Sequence, residues 1–353
     1  MTDMLTLHKA TDETKTILKW GSILIVSIIL LLILINIGIS LKEHFFPTPP
    51  QPPTVSFGKL PPINFGKNAA YKTLTYTINT LSGTLPVFPD RATVFKMTPA
   101  KSSLSSLQNT TAMVSQAGFT QNPIALSDTL YRWSSPTPPY KNITINIITH
   151  NFTLLSDFLS SGSAVFSAQN LGNENDAVIT SQNFLQSLSL FPSDIDMNKT
   201  QTFLFSITNF GLKPASSLSE AQIIRVDFFQ KDVNSLPIYY PHPPYSTMND
   251  LVGSGDNQPQ VVEAHFFHQE INQNMSATYP IASAAAAFSD LKQGRGYIAS
   301  YYGKGTAVSI KNIFLAYYMS DTTQDYLMPI IVFKGDNGFF AYVSAVKDEW
   351  INK

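Results

Sequence analysis

Glu263, His265, His268 and Glu270 are the one group of metal-ligand type in the chain. A zinc site needs three or four such donors converging on a single point. The run Val261-Val262-Glu263-Ala264-His265-Phe266-Phe267 is dense in branched and aromatic residues and reads as a strand. Strand alternation then puts Glu263 and His265 on one face and His268 and Glu270 on the other. The donors separate, so the expected reading is a polar strand face and no metal site.

Asp194-Ile195-Asp196-Met197-Asn198 begins like a calcium loop, but its sixth position is Lys199 where the turn requires glycine. Its twelfth is Phe205 where a bidentate glutamate belongs, so the segment reads as an Asp-rich connection. Gly294-Arg295-Gly296 and Gly303-Lys304-Gly305 lack phosphate-loop spacing and read as turns flanking residues 297–302. No Gly-x-Ser-x-Gly elbow occurs. With no cysteine, a disulfide framework, a thiolate metal site and a cysteine nucleophile are all excluded. The expectation is a protein without catalytic residues, metal or cofactor.

The elements that would position any site are mostly strands. Alternation over residues 71–81 and the short run 93–97 predict two strands, followed by a helix over 100–117 opened by Thr98-Pro99 and stopped by Gly118. Strands are expected at 130–134 and 143–152, a helix at 173–190, and strands at 202–208, 223–230 and 261–271. A third helix at 281–291 and strands at 308–318, 327–333 and 339–346 close the chain. The spacing of the helices predicts an α+β fold: tandem modules of antiparallel sheet, each covered by one helix, with boundaries at 69–165 and 166–353.

Upstream, residues 20–41 form a run without a charged residue, whose 22 residues rise about 33 Å and match a bilayer core of about 30 Å. Lys9, Lys15 and Lys19 precede it, whereas Lys42 stands alone beyond until Lys59. Retention of cations on the inner side predicts a cytoplasmic tail at 1–19, a transmembrane helix at 20–41 and everything later outside the cytoplasm. Cleavage as a signal peptide is the rival reading, with Gly38-Ile39-Ser40 as its cleavage-like site. Residues 42–68 are proline-rich and are expected to be an extended spacer.

Charged residues make up only 13% of the chain and net charge is −1, so no basic stripe exists for nucleic acid. Five Asn-x-Ser/Thr matches, at Asn109, Asn142, Asn151, Asn198 and Asn274, are read as accidents of an Asn-, Ser- and Thr-rich composition.

The run from Tyr279-Pro280-Ile281 through Leu291-Lys292-Gln293-Gly294-Arg295-Gly296 resembles the tyrosine-proline-isoleucine, helix, then Leu-x-x-Gly-x-Gly entry of YycI-type regulators and their PepSY-like relatives. In the same order, 313–318 with its tyrosine pair, and 326–333 with 339–343, are similar to that family's strand and closing hairpin. The resemblance covers residues 279–346 and is weak elsewhere. It implies a membrane-anchored extracytoplasmic regulatory protein that binds a sensor or a cell-wall enzyme of the envelope. Tyr317, Tyr318, Phe339 and Tyr342 are the candidate partner-binding residues. A self-assembling surface protein is the alternative reading, and an envelope hydrolase the third.

Overall fold

Residues that favour strands supply most of the chain beyond the apolar run, and each strand needs a neighbour to take its backbone hydrogen bonds. The structure is a computed structural model and describes residues 7–45, 52–66, 74–136, 140–160, 163, 165, 171–255 and 258–352. It divides into two units, Met1–Pro52 and Pro53–Lys353.

The first unit contains helix α1 (Leu7–Phe45), within which Leu18–Gly38 is long and apolar enough to cross a bilayer, as an anchor or a signal sequence would. The helix outruns both ends of the expected span because no proline interrupts it.

In the second unit, one antiparallel sheet of nine strands is assembled from β3 (Ile124–Ala125), β4 (Leu130–Ser134), β5 (Lys141–Asn146), β6 (Phe152–Ser156), β7 (Gln201–Thr208), β8 (Gly211–Pro214), β9 (Ile223–Phe228), β11 (Met248–Gly255) and β12 (Gln258–Phe266). Their order is β3-β4-β5-β6-β12-β11-β9-β7-β8. Helices α2 (Ser106–Gln116) and α3 (Glu174–Ser187) share its core, burying Val114, Ala177 and Leu185 with Trp133, Ile143, Val226 and Phe266. Asn173 and Asp176 close a reciprocal capping box at the start of α3.

The other sheet is mixed and has eight strands: β1 (Thr75–Ile78), β2 (Arg91–Met97), β10 (Ile238–Tyr239), β13 (Ile271–Pro280), β14 (Tyr297–Ser300), β15 (Ala307–Tyr318), β16 (Tyr326–Gly335) and β17 (Phe340–Ser344). β1 and β10 both lie parallel to β15, while β15, β16, β17 and β14 are antiparallel neighbours. Helix α4 (Ala284–Lys292) is capped by Ser283, whose side chain accepts from the Ala286 N–H. It buries Ala284, Ala287 and Leu291, the last two in one core with Ile331, Phe333 and Val343.

Three expectations are corrected here. The sheets do not divide at residue 165: β1 and β2 pair with β15, β13 and β16, whereas β3 to β6 join strands 201–266. The nine-stranded sheet also shares its core with two helices where one was expected. Pairing is a non-local choice, and the strand periodicity that locates each strand is silent on its partner.

Next, the single strand expected at 143–152 is a hairpin. The Asn146 side chain accepts N–H bonds from Ile148 and Thr149, at 2.9 and 3.1 Å, and His150 closes the turn at φ 57°. Asparagine is well suited to such turns because its amide imitates a backbone carbonyl. A similar competition delays α2, where Ser103 and Ser106 bond locally and hold 101–105 out of the helix.

Finally, the described residues of the expected spacer at 42–68 are not free: residues 42–45 belong to α1, and residues 54–60 bond to β13 and to the C-terminal residues. Leu60 is fully buried with Val94, Tyr279, Met328 and Val346. Its N–H donates to the Trp350 carbonyl and its carbonyl accepts from Asn352, both at 2.8 Å. The Val55 N–H donates to the Thr278 carbonyl, and the Tyr279 hydroxyl to the Gly58 carbonyl. An extended proline-rich segment makes no internal backbone ladder, so its groups are free to pair with a neighbouring edge. The rest of that spacer, residues 46–51 and 67–68, and the start of the expected first strand, residues 71–73, lie outside the described residues.

Candidate functional site

The four sequence candidates for metal binding do not converge. Glu263 and His265 share one face of β12, with His265 Nε2 2.9 Å from Glu263 Oε1. His268 lies past the end of β12 and meets Asp194, its Nε2 2.9 and 3.1 Å from the two carboxylate oxygens. Glu270 is exposed. Among the described residues, no three His, Asp or Glu side chains are placed to hold a metal. Asp196, the second acid of the calcium-like segment, caps the short turn Met197–Lys199 by accepting from the Asn198 N–H.

The Asp194 and His268 pair sits inside a polar cluster. Gln230 Nε2 donates to Asp194 Oδ2 at 2.8 Å, and its backbone N–H donates to the Tyr240 hydroxyl. The His268 N–H donates to Asn151 Oδ1 at 3.1 Å, and its ring stacks on Phe266. Burial pushes the Asp194 carboxyl up, but His268 and Gln230 outweigh it and hold the group below the usual carboxylate range. Burial also pushes the Tyr240 hydroxyl up, and it lowers the His150 imidazole. The His268 Nε2 also lies 3.5 Å from Gln230 Nε2, so the pair and Gln230 tie the Asp194 loop to the residues that follow β12.

Around this cluster the ends of the two sheets leave an open groove of about 1240 Å³. Its walls include Lys96 of β2 and Lys101 after it, Asn151 at the β5–β6 hairpin, Asp194, Asn274 and Thr323. Phe191, Phe266 and Ile271 add apolar surface. Cations, carboxylates and amides are mixed along it, which suits an extended polar chain with occasional apolar side chains better than a compact charged ligand.

The residues expected to bind a partner occupy the core. Tyr317, Phe339 and Tyr342 are 0% exposed and Tyr318 is 2% exposed. Tyr317 donates to the Thr93 carbonyl and Tyr342 to the Tyr240 carbonyl, both at 2.9 Å. Phe339 packs between Tyr76 and Tyr301. The reason is that β15 and β17 are covered on both faces, so their aromatic residues fill the interior as those of a doubly covered sheet do. The Asp194 and His268 pairing was not legible in the sequence, because 74 residues separate the two and no short motif spans them.

No protein family matches the chain, and no curated protein does. Among solved structures it is similar to an uncharacterized protein from Eubacterium rectale, at 10% identity and a TM-score of 0.34, over 79% of this chain and 90% of that one. It is also similar to the C-terminal domain of Bacillus megaterium YpeB, at 13% identity and a TM-score of 0.32, over 71% of this chain and 95% of that domain.

Proposed function

We propose that the protein is a membrane-tethered binding module of the cell envelope, acting outside the cytoplasm through contacts with another envelope protein and carrying out no catalysis. The groove beside Asp194 and His268 carries this reading, because it is large, open and lined by hydrogen-bonding side chains of mixed charge. The lysines ahead of the apolar helix support a cytoplasmic N-terminus. The resemblance of residues 279–346 to YycI-type regulators supports the finer form, in which the partner is a sensor or a cell-wall enzyme.

Two experiments test it. Photo-crosslinking residues placed at Lys101 and Asn274, on the groove, should trap a discrete envelope protein in living cells, while one at Lys292 on α4 should not. Equal labelling from all three positions would reject the groove as the contact. Protease added outside wall-stripped cells should remove the unit beginning at Pro53 and leave a tethered stub. A shortened soluble protein in the medium would replace the anchor by a cleaved signal.

A further inference from the structure

The face of the eight-stranded sheet opposite α4 is covered by no helix among the described residues. Its core holds Tyr297, Tyr318, Tyr342, Ile330 and Val332, and among the described residues that pack against it are Ile63 and Phe65 from the segment ahead of β1, Tyr239 of β10, Phe314 and Phe340. The Phe65 ring lies flat on Tyr297, with centroids 5.5 Å apart and planes 6° apart. It meets Tyr318 edge-on at 4.8 Å and Tyr342 at 6.3 Å. Three tyrosines thus form a socket that holds one aromatic ring.

The segment that fills the socket is attached unevenly. Residues 54–60 are fixed by hydrogen bonds to Thr278, Tyr279, Trp350 and Asn352. The hydrogen bonds of residues 61–66 are internal, from the Phe65 N–H to the Ile63 carbonyl and from the Gly66 N–H to Asn64 Oδ1. Among the described residues, side-chain packing is what holds this strap on the sheet. A space of about 200 Å³ also remains between Pro61, Ile63 and Asn64 of the strap and Tyr318, Ser320 and Met328 beneath it.

We propose that residues 61–66 are a displaceable strap, and that the socket of Tyr297, Tyr318 and Tyr342 receives the aromatic side chain of a proline-flanked extended segment from a partner protein once the strap leaves. The strap defines the chemistry of that partner. Pro61-Pro62-Ile63-Asn64-Phe65 shows that an extended backbone preset by proline delivers a ring to these tyrosines, and a competing segment of the same kind meets the same surface. Tyr318 and Tyr342, buried while the strap is in place, become contact residues only on displacement. The inference rests on the reading of the protein as a binding module, and it adds a second surface, distinct from the groove.

The test uses the full chain in detergent micelles and the capped peptide Pro-Pro-Ile-Asn-Phe-Gly, titrated calorimetrically. Phe65→Ala should bind the peptide at least tenfold more tightly than the wild-type chain, whose own ring competes, and the same peptide with alanine in place of phenylalanine should not bind. Phe65→Leu, which keeps the sheet covered, guards against misfolding of the alanine variant and should fall between the two. Equal binding by wild type and both variants, or none by any of them, overturns the proposal. Concentration-dependent dimers of the wild-type chain that Phe65→Ala abolishes also overturn it, in favour of a second copy's strap as the occupant. Groove crosslinks retained while peptide binding fails would reject the strap and leave the binding-module reading standing.

Discussion

Asp194 and His268 stand 74 residues apart in the chain and meet at 2.9 Å, joining the connection after α3 to the residues that follow β12. The contact fixes one wall of the groove. Asp194→Ala should therefore loosen residues 192–196 and lower stability by about 1.5–3 kcal/mol, the range of a hydrogen bond to a charged group. Its carboxyl is held below the usual range, so its contribution is present above the unfolded value near pH 3.8 and is lost as pH falls through the folded one. Chemical denaturation of both chains from pH 7 down to pH 3 should show the gap closing in acid. A gap independent of pH would mean that the lost packing, and not the carboxylate's hydrogen bonds, sets the cost.

Asp250 makes the opposite prediction. It is 1% exposed on β11, its Oδ2 has no hydrogen-bond partner among the described residues, and burial pushes its carboxyl well above the usual range, with Ser181 pulling back and Asp227 adding to the rise. Folded protein keeps a proton that the unfolded chain releases above about pH 3.8, so stability falls as pH rises from there by up to ~1.4 kcal/mol per pH unit until the folded group ionises. Asp250→Asn should remove this fall and be the more stable chain at pH 8, with the difference shrinking toward pH 4. Parallel stability curves for the two chains across that interval would refute a neutral Asp250.

Helix α4 offers a packing test. Leu291 is 2% exposed against Ile331 and Val343, and Leu291→Ala should cost about 2–5 kcal/mol. Phe288 is half-buried, its ring tilted against Phe333 with Lys292 over it. Phe288→Ala should cost less than the leucine change, and Ser289→Ala should stay within about 0.5 kcal/mol. Denaturant midpoints for the three variants give the order directly, and a larger loss at Phe288 than at Leu291 would contradict the packing.

Leu60 separates a docked segment from a free spacer. A leucine in a flexible linker is replaceable at no cost, whereas one fully buried among Val94, Tyr279 and Met328 should cost about 2–5 kcal/mol when cut to alanine. Thermal unfolding of Leu60→Ala decides between the two, and an unchanged midpoint would return residues 53–66 to the role of spacer.

What the sequence by itself determined were features written within a few residues of one another. The apolar run ending near Gly38 needs only composition and length to read as a helix able to cross a bilayer, and β2, β7, β9, β15 and β16 follow from branched residues at strand density. That Glu263 and His265 share a face was equally local, since alternation along β12 fixes it, whereas His268 and Glu270 fall past the end of that strand and are placed by the tertiary structure. Tertiary structure alone decided the rest. β13, whose sequence Ile271-Asn272-Gln273-Asn274-Met275-Ser276 looks like a polar loop, is a strand because β2 pairs with it around a bulge. Of the tyrosines offered as a docking surface, Tyr318 and Tyr342 became core because Phe65 and Tyr239 pack over them, and Tyr317 because it packs with Phe95 in the core shared with the nine-stranded sheet. Hydrophobic periodicity tells each segment which of its faces to bury, but the partner that buries it is chosen by contacts between residues far apart in the chain, and no local pattern encodes that choice.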